Sequence, residues 1–304
     1  MRELTLGSLS APTLTSISTA LVIPFPDWWK KAEQNEAFQT YSNYGIGAAY
    51  GLIGLVAFVQ LLRLQLRVPE YGWTTQKVFH LLNCLVSVLR CSVFFFRPAL
   101  EGLHPVVTKL MLLDLPGLLF FTTYTLLVLF WAEIYQQARN LPAAALRPTF
   151  LIINIVVYAV LAGLWALNAF GRTGDIQELA YTVSNLWLAA VFLAAAAGFL
   201  LYGGRLFVML QRFPIESRGR RKKLREVGLV TSICAGCFTF RALMIATAAV
   251  DRDDLEVDML GHPLLNIAYY GLAEILPSAA VLYILRKLPP KRQNAQGYQQ
   301  IPSQ

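Results

Sequence analysis

The sequence predicts an all-α polytopic membrane protein with seven transmembrane helices, its N-terminus lumenal and its C-terminus cytosolic. Three observations predict this. Seven apolar runs long enough to cross a bilayer follow one another along the chain. The composition is 56% hydrophobic and 14% charged, against about 25% charged in soluble proteins, so a soluble fold could not cover its own surface. The basic residues are concentrated in alternate connections between the runs.

The third run shows the pattern most clearly. Leu115 to Ala132 carries no charge, with Asp114 before it and Glu133 after it. At about 1.5 Å per residue it covers roughly 27 Å, close to a hydrocarbon core of about 30 Å. Pro116 is expected in its first turns, where a missing N–H costs least. Residues 1–37 read as a polar lumenal tail, with Trp28 and Trp29 beside Lys30 and Lys31 suited to the headgroup level. The first span is expected over Tyr41 to Leu62, with Gly47, Gly51 and Gly54 on one small-residue face for close helix contact. The second covers Val78 to Phe96, the fourth Phe150 to Phe170 and the fifth Leu179 to Leu210. The sixth covers Val227 to Val250 and the seventh Leu264 to Leu285, kinked at Pro277. These spans make one transmembrane domain over residues 38–288, and residues 289–304 form a C-terminal tail.

Charge sets the orientation. The first, third and fifth connections and the C-tail hold 16 cations against three acids, Glu70, Glu216 and Glu226. The N-tail and the other connections hold seven cations, and the sixth connection is acidic. Excess Lys and Arg mark the cytosolic side, and an odd number of spans then places the N-terminus opposite. The densest cluster is Arg218, Arg220, Arg221, Lys222, Lys223 and Arg225 in the fifth connection. Beside a membrane such a cluster attracts anionic headgroups at about 1 kcal/mol per residue, and the same charges could dock an acidic protein or RNA. It also serves simply to mark topology.

Ionisable groups within the spans are costly unless partnered. Counting depth from the connections suggests three interhelical pairs: Arg90 with Asp114, Arg241 with Glu274, and Glu133 with Arg205. One reading makes them a pocket or proton path; the plainer one makes them structural glue, aided by Asn83, Asn154, Asn185 and Asn266. No catalytic, cofactor or metal site is expected. The three histidines, His80, His104 and His262, have no second ligand at metal spacing. Cys234-Ala-Gly-Cys237 has CxxC spacing but sits in an apolar run with no second pair, so packing is the default.

Several stretches together resemble the plant tobamovirus multiplication protein family. They include RVPEYGWTTQKVFHL (Arg67 to Leu81), YTLLVLFWAEIYQQAR (Tyr124 to Arg139), GFLLYGGRLFVMLQRFPIESRGRRKKLREVG (Gly198 to Gly228) and HPLLNIAYY (His262 to Tyr270). The resemblance implies a seven-span host factor of the vacuolar membrane. It implies a cytosolic surface that engages tobamovirus replication proteins through their helicase-bearing region and so anchors viral RNA replication. Membrane lipids and other host membrane proteins are further candidate partners; no direct contact with nucleic acid is expected.

Two alternatives belong to other classes. A receptor-like ligand-binding protein predicts an outward cavity lined by Arg90, Asp114, Arg241 and Glu274. Its switch residues are missing, since Ala132-Glu133-Ile134-Tyr135 lacks an arginine after the acid and Leu276-Pro277-Ser278-Ala279-Ala280 keeps only the proline of the seventh-helix motif. A transporter needs a polar route, yet the middle of the third span offers only Thr122, Thr123, Tyr124 and Thr125.

Overall fold

Seven long apolar helices run up and down through one bundle. The computed structural model describes residues 35–67, 74–97, 106–171, 173–212, 218–250 and 263–286, and no strand occurs among them. The helices are α1 (Glu36–Arg67), α2 (Thr75–Phe95), α3 (Val106–Ala138), α4 (Leu146–Phe170), α5 (Gly174–Arg212), α6 (Arg218–Val250) and α7 (Pro263–Leu285). Each hydrogen-bonds its own backbone, the solution a bilayer imposes on a spanning segment. The expected lumenal tail, the sixth connection and the C-terminal tail beyond Arg286 lie outside the described residues.

Successive helices pack side by side, and α7 returns to α1, so the chain closes a ring. α3 occupies the middle, with 61% of its span buried, whereas α4 lies at the rim with 17% buried and its Ile152, Ile153 and Ile155 facing outward. The centre is an aromatic stack: Tyr124 of α3, Phe199 of α5 and Phe238 of α6, all fully buried, meet ring to ring.

The glycine face of α1 does what its pattern predicts. A Cβ at Gly47 would come within 3.0 Å of Phe95, and one at Gly54 within 3.2 Å of Ser87, so α1 and α2 approach more closely than a side chain at these positions fits without its neighbours giving way. Two sequence expectations change. α3 begins at Val106, ten residues before Pro116, so the proline lies inside the helix rather than in its first turns. The kink expected at Pro277 is a widened π-turn at Gly271–Ile275. The proline ring would collide with the carbonyl four residues back, Ala273, and the widened turn relieves that contact. A second π-turn, Phe199–Gly203, interrupts α5, where Gly203 lies against Thr231 and Trp131.

Alternation of direction collects the basic residues at one end. Arg63, Arg67, Arg139, Arg147, Arg212, Arg225 and Arg286 all lie where helices start or stop on that side. Lys77, expected in the first connection, is instead fully buried in the first turns of α2, drawn in as α2 starts earlier than its apolar run.

Candidate functional site: a buried ion network and a basic end

Away from the basic end, Glu274 is fully enclosed and bridges three other helices. It is carried inward on the π-turn of α7. Arg90 of α2 grips it with a fork: Nη2 donates to Oε1 at 2.7 Å and Nε donates to Oε2 at 3.0 Å. Arg241 of α6 donates through Nη1 to the same Oε1, and Tyr50 of α1 donates its hydroxyl to Oε2 at 2.6 Å. The third donor nitrogen of Arg90, Nη1, reaches the carbonyl of Leu113 on α3 at 3.3 Å, three residues before Pro116. Aromatic faces complete the shell, with Arg90 over Tyr270 at 5.0 Å and Arg241 over Phe192 at 4.5 Å. Gly117 leaves the room Arg241 needs, because a Cβ there would lie 2.8 Å from Nη2.

The expected pairing of Arg241 with Glu274 is therefore present. The other two expected pairs are corrected. Arg90 crosses to Glu274 of α7, while Asp114 accepts from Trp165 Nε1 of α4 at 2.9 Å. Glu133 pairs with Arg147 at 2.8 Å across the short third connection, and Arg205 is exposed on α5. Depth along the membrane was the only coordinate the sequence supplied. Which face of each helix looks at which neighbour decides the partner, and depth does not contain that.

Arg90, Arg241 and Asp114 surround one space, but Glu274, which the receptor reading also requires there, does not line it. That space is about 40 Å³, against roughly 300–1,000 Å³ for small-molecule pockets. All four charges have partners inside the bundle. Together they sum to zero, two guanidinia against two carboxylates. The arrangement ties α1, α2, α6 and α7 together at one point and leaves no room for a ligand of metabolite size. Tyr50 is the member sequence reasoning missed; its place one helical turn beyond Gly47, on the face that packs inward, was the available signal.

The basic end has the opposite character. α6 starts at Arg218, so all six cations of the cluster lie on its opening turns rather than in a free connection. Arg225 is exposed; the side chains of Arg218, Arg220, Arg221, Lys222 and Lys223 lie outside the described residues. Arg147, which holds Glu133, is 75% exposed at its side chain. Cys234 and Cys237 are buried in the bundle, Cys234 within the central core. No group of three metal-ligating side chains occurs among the described residues.

A family model described as the THH1/TOM1/TOM3 domain matches residues 24–301. The chain is 51% identical to Tobamovirus multiplication protein 1 of Arabidopsis thaliana over 92% of its own length and 94% of the relative's. It is 53% identical to Tobamovirus multiplication protein 3 of Nicotiana tabacum over 87% of its own length and 88% of the relative's. No solved structure matches.

Proposed function

The chain belongs to the THH1/TOM1/TOM3 family, and from that premise we propose that it is a host factor of the vacuolar membrane that anchors tobamovirus replication proteins and supports viral RNA replication. It works as a scaffold and not as an enzyme. Its basic end faces the cytosol, and the helicase-bearing region of the viral protein docks there. The observation that carries the reading is the joint one: relatives named for tobamovirus multiplication align across nearly the whole chain, and the cations gather at one end of the bundle. A polar interior with a binding cavity would favour the receptor alternative, but the interior charges are engaged with one another.

The cluster at the start of α6 is the docking patch in this reading. Its cations act at long range over about 8 Å in physiological salt, enough to steer an acidic partner toward the membrane surface. The test is neutralisation of Arg220, Arg221, Lys222 and Lys223 to Gln in the full chain. Membrane insertion should persist, because the span of α6 begins after them at Leu224. Co-purification of the viral replication protein should fall sharply. Undiminished co-purification would remove the docking role. Sealed, right-side-out vacuoles treated with protease give the orientation: cleavage between α5 and α6 is expected, and protection there inverts the topology.

A further inference from the structure

A second arginine constellation lies at the basic end, separate from the cluster on α6. Arg139 at the end of α3 and Arg205 and Arg212 on α5 line one open cleft of about 660 Å³. Its floor is apolar, made by Leu200, Leu201 and Val208, and no acid lines it among the described residues. Arg139 donates Nη1 to the Tyr135 hydroxyl at 2.9 Å, which fixes the side chain while leaving most of its guanidinium donors available. Arg205 and Arg212 stand two turns apart on one face of α5, and neither is ion-paired among the described residues.

A groove lies on the same two helices. This second space, of about 270 Å³, lies nearer the membrane centre and is lined by Val128 and Ala132 of α3, Ile153 and Val157 of α4, and Ala194 and Gly198 of α5. On α3 the groove residues Val128 and Ala132 lead by helical steps to Tyr135 and Arg139 of the cleft. On α5 the groove residues Ala194 and Gly198 precede the π-turn at Phe199–Gly203, and the cleft residues Gly204 and Arg205 follow it. The groove is almost wholly apolar, and the rim helix α4 forms one of its walls.

Lengths fit one leaflet. From Arg205 back to Ala194 the helix rises about 16 Å, half of a hydrocarbon core of about 30 Å. Arg205 also ends the uncharged run from Leu179 to Gly204, which places its guanidinium where headgroups begin. A positively charged mouth above an apolar slot of leaflet depth is complementary to one kind of molecule. The geometry points to a binding site for a single anionic phospholipid on the α3–α5 seam, its phosphate held by Arg139, Arg205 and Arg212 and one acyl chain in the groove. Guanidinia suit this role because they meet phosphate oxygens through paired donors. A soluble acidic peptide fills only the mouth.

The test uses full-length protein in phosphatidylcholine nanodiscs doped with phosphatidylinositol carrying a photoreactive diazirine on its acyl chain. Crosslinks are expected on the α5 peptide containing Ala194 to Tyr202. The variant R139Q/R205Q/R212Q should lower them about ten-fold or more, because the cations that attract the anionic headgroup are gone. Gly198→Leu should lower them by filling the slot, and R139K/R205K/R212K, which keeps the charge, should retain most of the labelling. The same diazirine on phosphatidylcholine should label this peptide weakly, and excess glycerol phosphate should not compete. Equal labelling by the neutral lipid, full competition by glycerol phosphate, or unchanged labelling in the folded triple Gln variant would each overturn the site.

Discussion

The two ends of the bundle treat arginine in opposite ways. Toward one end, Arg90 and Arg241 are buried at 2% and 5% exposure, close on one carboxylate and leave about 40 Å³ beside them. At the other, Arg139, Arg205 and Arg212 have no carboxylate in their cleft among the described residues and border about 660 Å³. The same side chain is a structural tie in one place and an open donor in the other. Burial makes the difference. A guanidinium taken out of water must be compensated on the spot, whereas one at the headgroup level keeps its hydration and its capacity to bind. Charge within a span is thus a guide to function only once its partners are known.

The largest effect expected from this contrast is at Glu274. Glu274→Gln leaves two buried guanidinia without a counter-charge and should cost about 3–5 kcal/mol, read as thermal unfolding of the purified protein. Replacing Arg90, Arg241 and Glu274 together by Leu should recover part of that loss, because no guanidinium is then left without the carboxylate it shared. Arg205→Gln should leave the unfolding curve where it is. If Arg205→Gln and Glu274→Gln destabilised alike, the distinction between tie and open donor would not hold.

A glycine pair sharpens the contrast at smaller scale. At Gly117 an added Cβ would sit 2.8 Å from Arg241 Nη2, a group pinned by Glu274 and by the Phe192 ring. Gly117→Ala should therefore cost about 1–3 kcal/mol, as overpacking does. At Gly204, lining the open cleft, a Cβ meets nothing within 4 Å. Gly204→Ala should instead stabilise by about 0.5–1 kcal/mol through the lower backbone entropy of alanine. Equal signs for the two would mean that Arg241 can step aside and is not fixed by its network.

Much of this was legible in the chain. Uncharged runs gave the seven helices, because a bilayer demands length and apolarity and little else. Gly47 and Gly54 gave the α1–α2 contact, because glycine at helical spacing has few other uses. Arg241 and Glu274 were matched by depth, and chain order also made their helices neighbours. Arg90 was mismatched for the complementary reason: its partner belongs to α7, which the ring brings within reach of α2 only through tertiary closure. The π-turn that carries Glu274 inward left only Gly271 and Pro277 as traces. The α3–α5 cleft was hidden because Arg205, read as a partner for Glu133, looked already satisfied. Lys77 was hidden because a cation near the end of a run looks like a loop residue.

The smallest expected effect is at the boundary between the two regimes. Glu133 is enclosed, with its side chain 12% exposed, while its partner Arg147 is 75% exposed. An exposed cation pays side-chain entropy to hold its partner and is screened by salt, so Arg147→Gln should shift unfolding only slightly. Raising the salt concentration should then bring wild type and Arg147→Gln together, because mobile ions reach that guanidinium. The gap between wild type and Glu274→Gln should survive the same salt, because ions do not reach Arg90 and Arg241. A salt-insensitive gap for Arg147→Gln would move this pair into the class of buried ties and shift the boundary one helical turn toward the basic end.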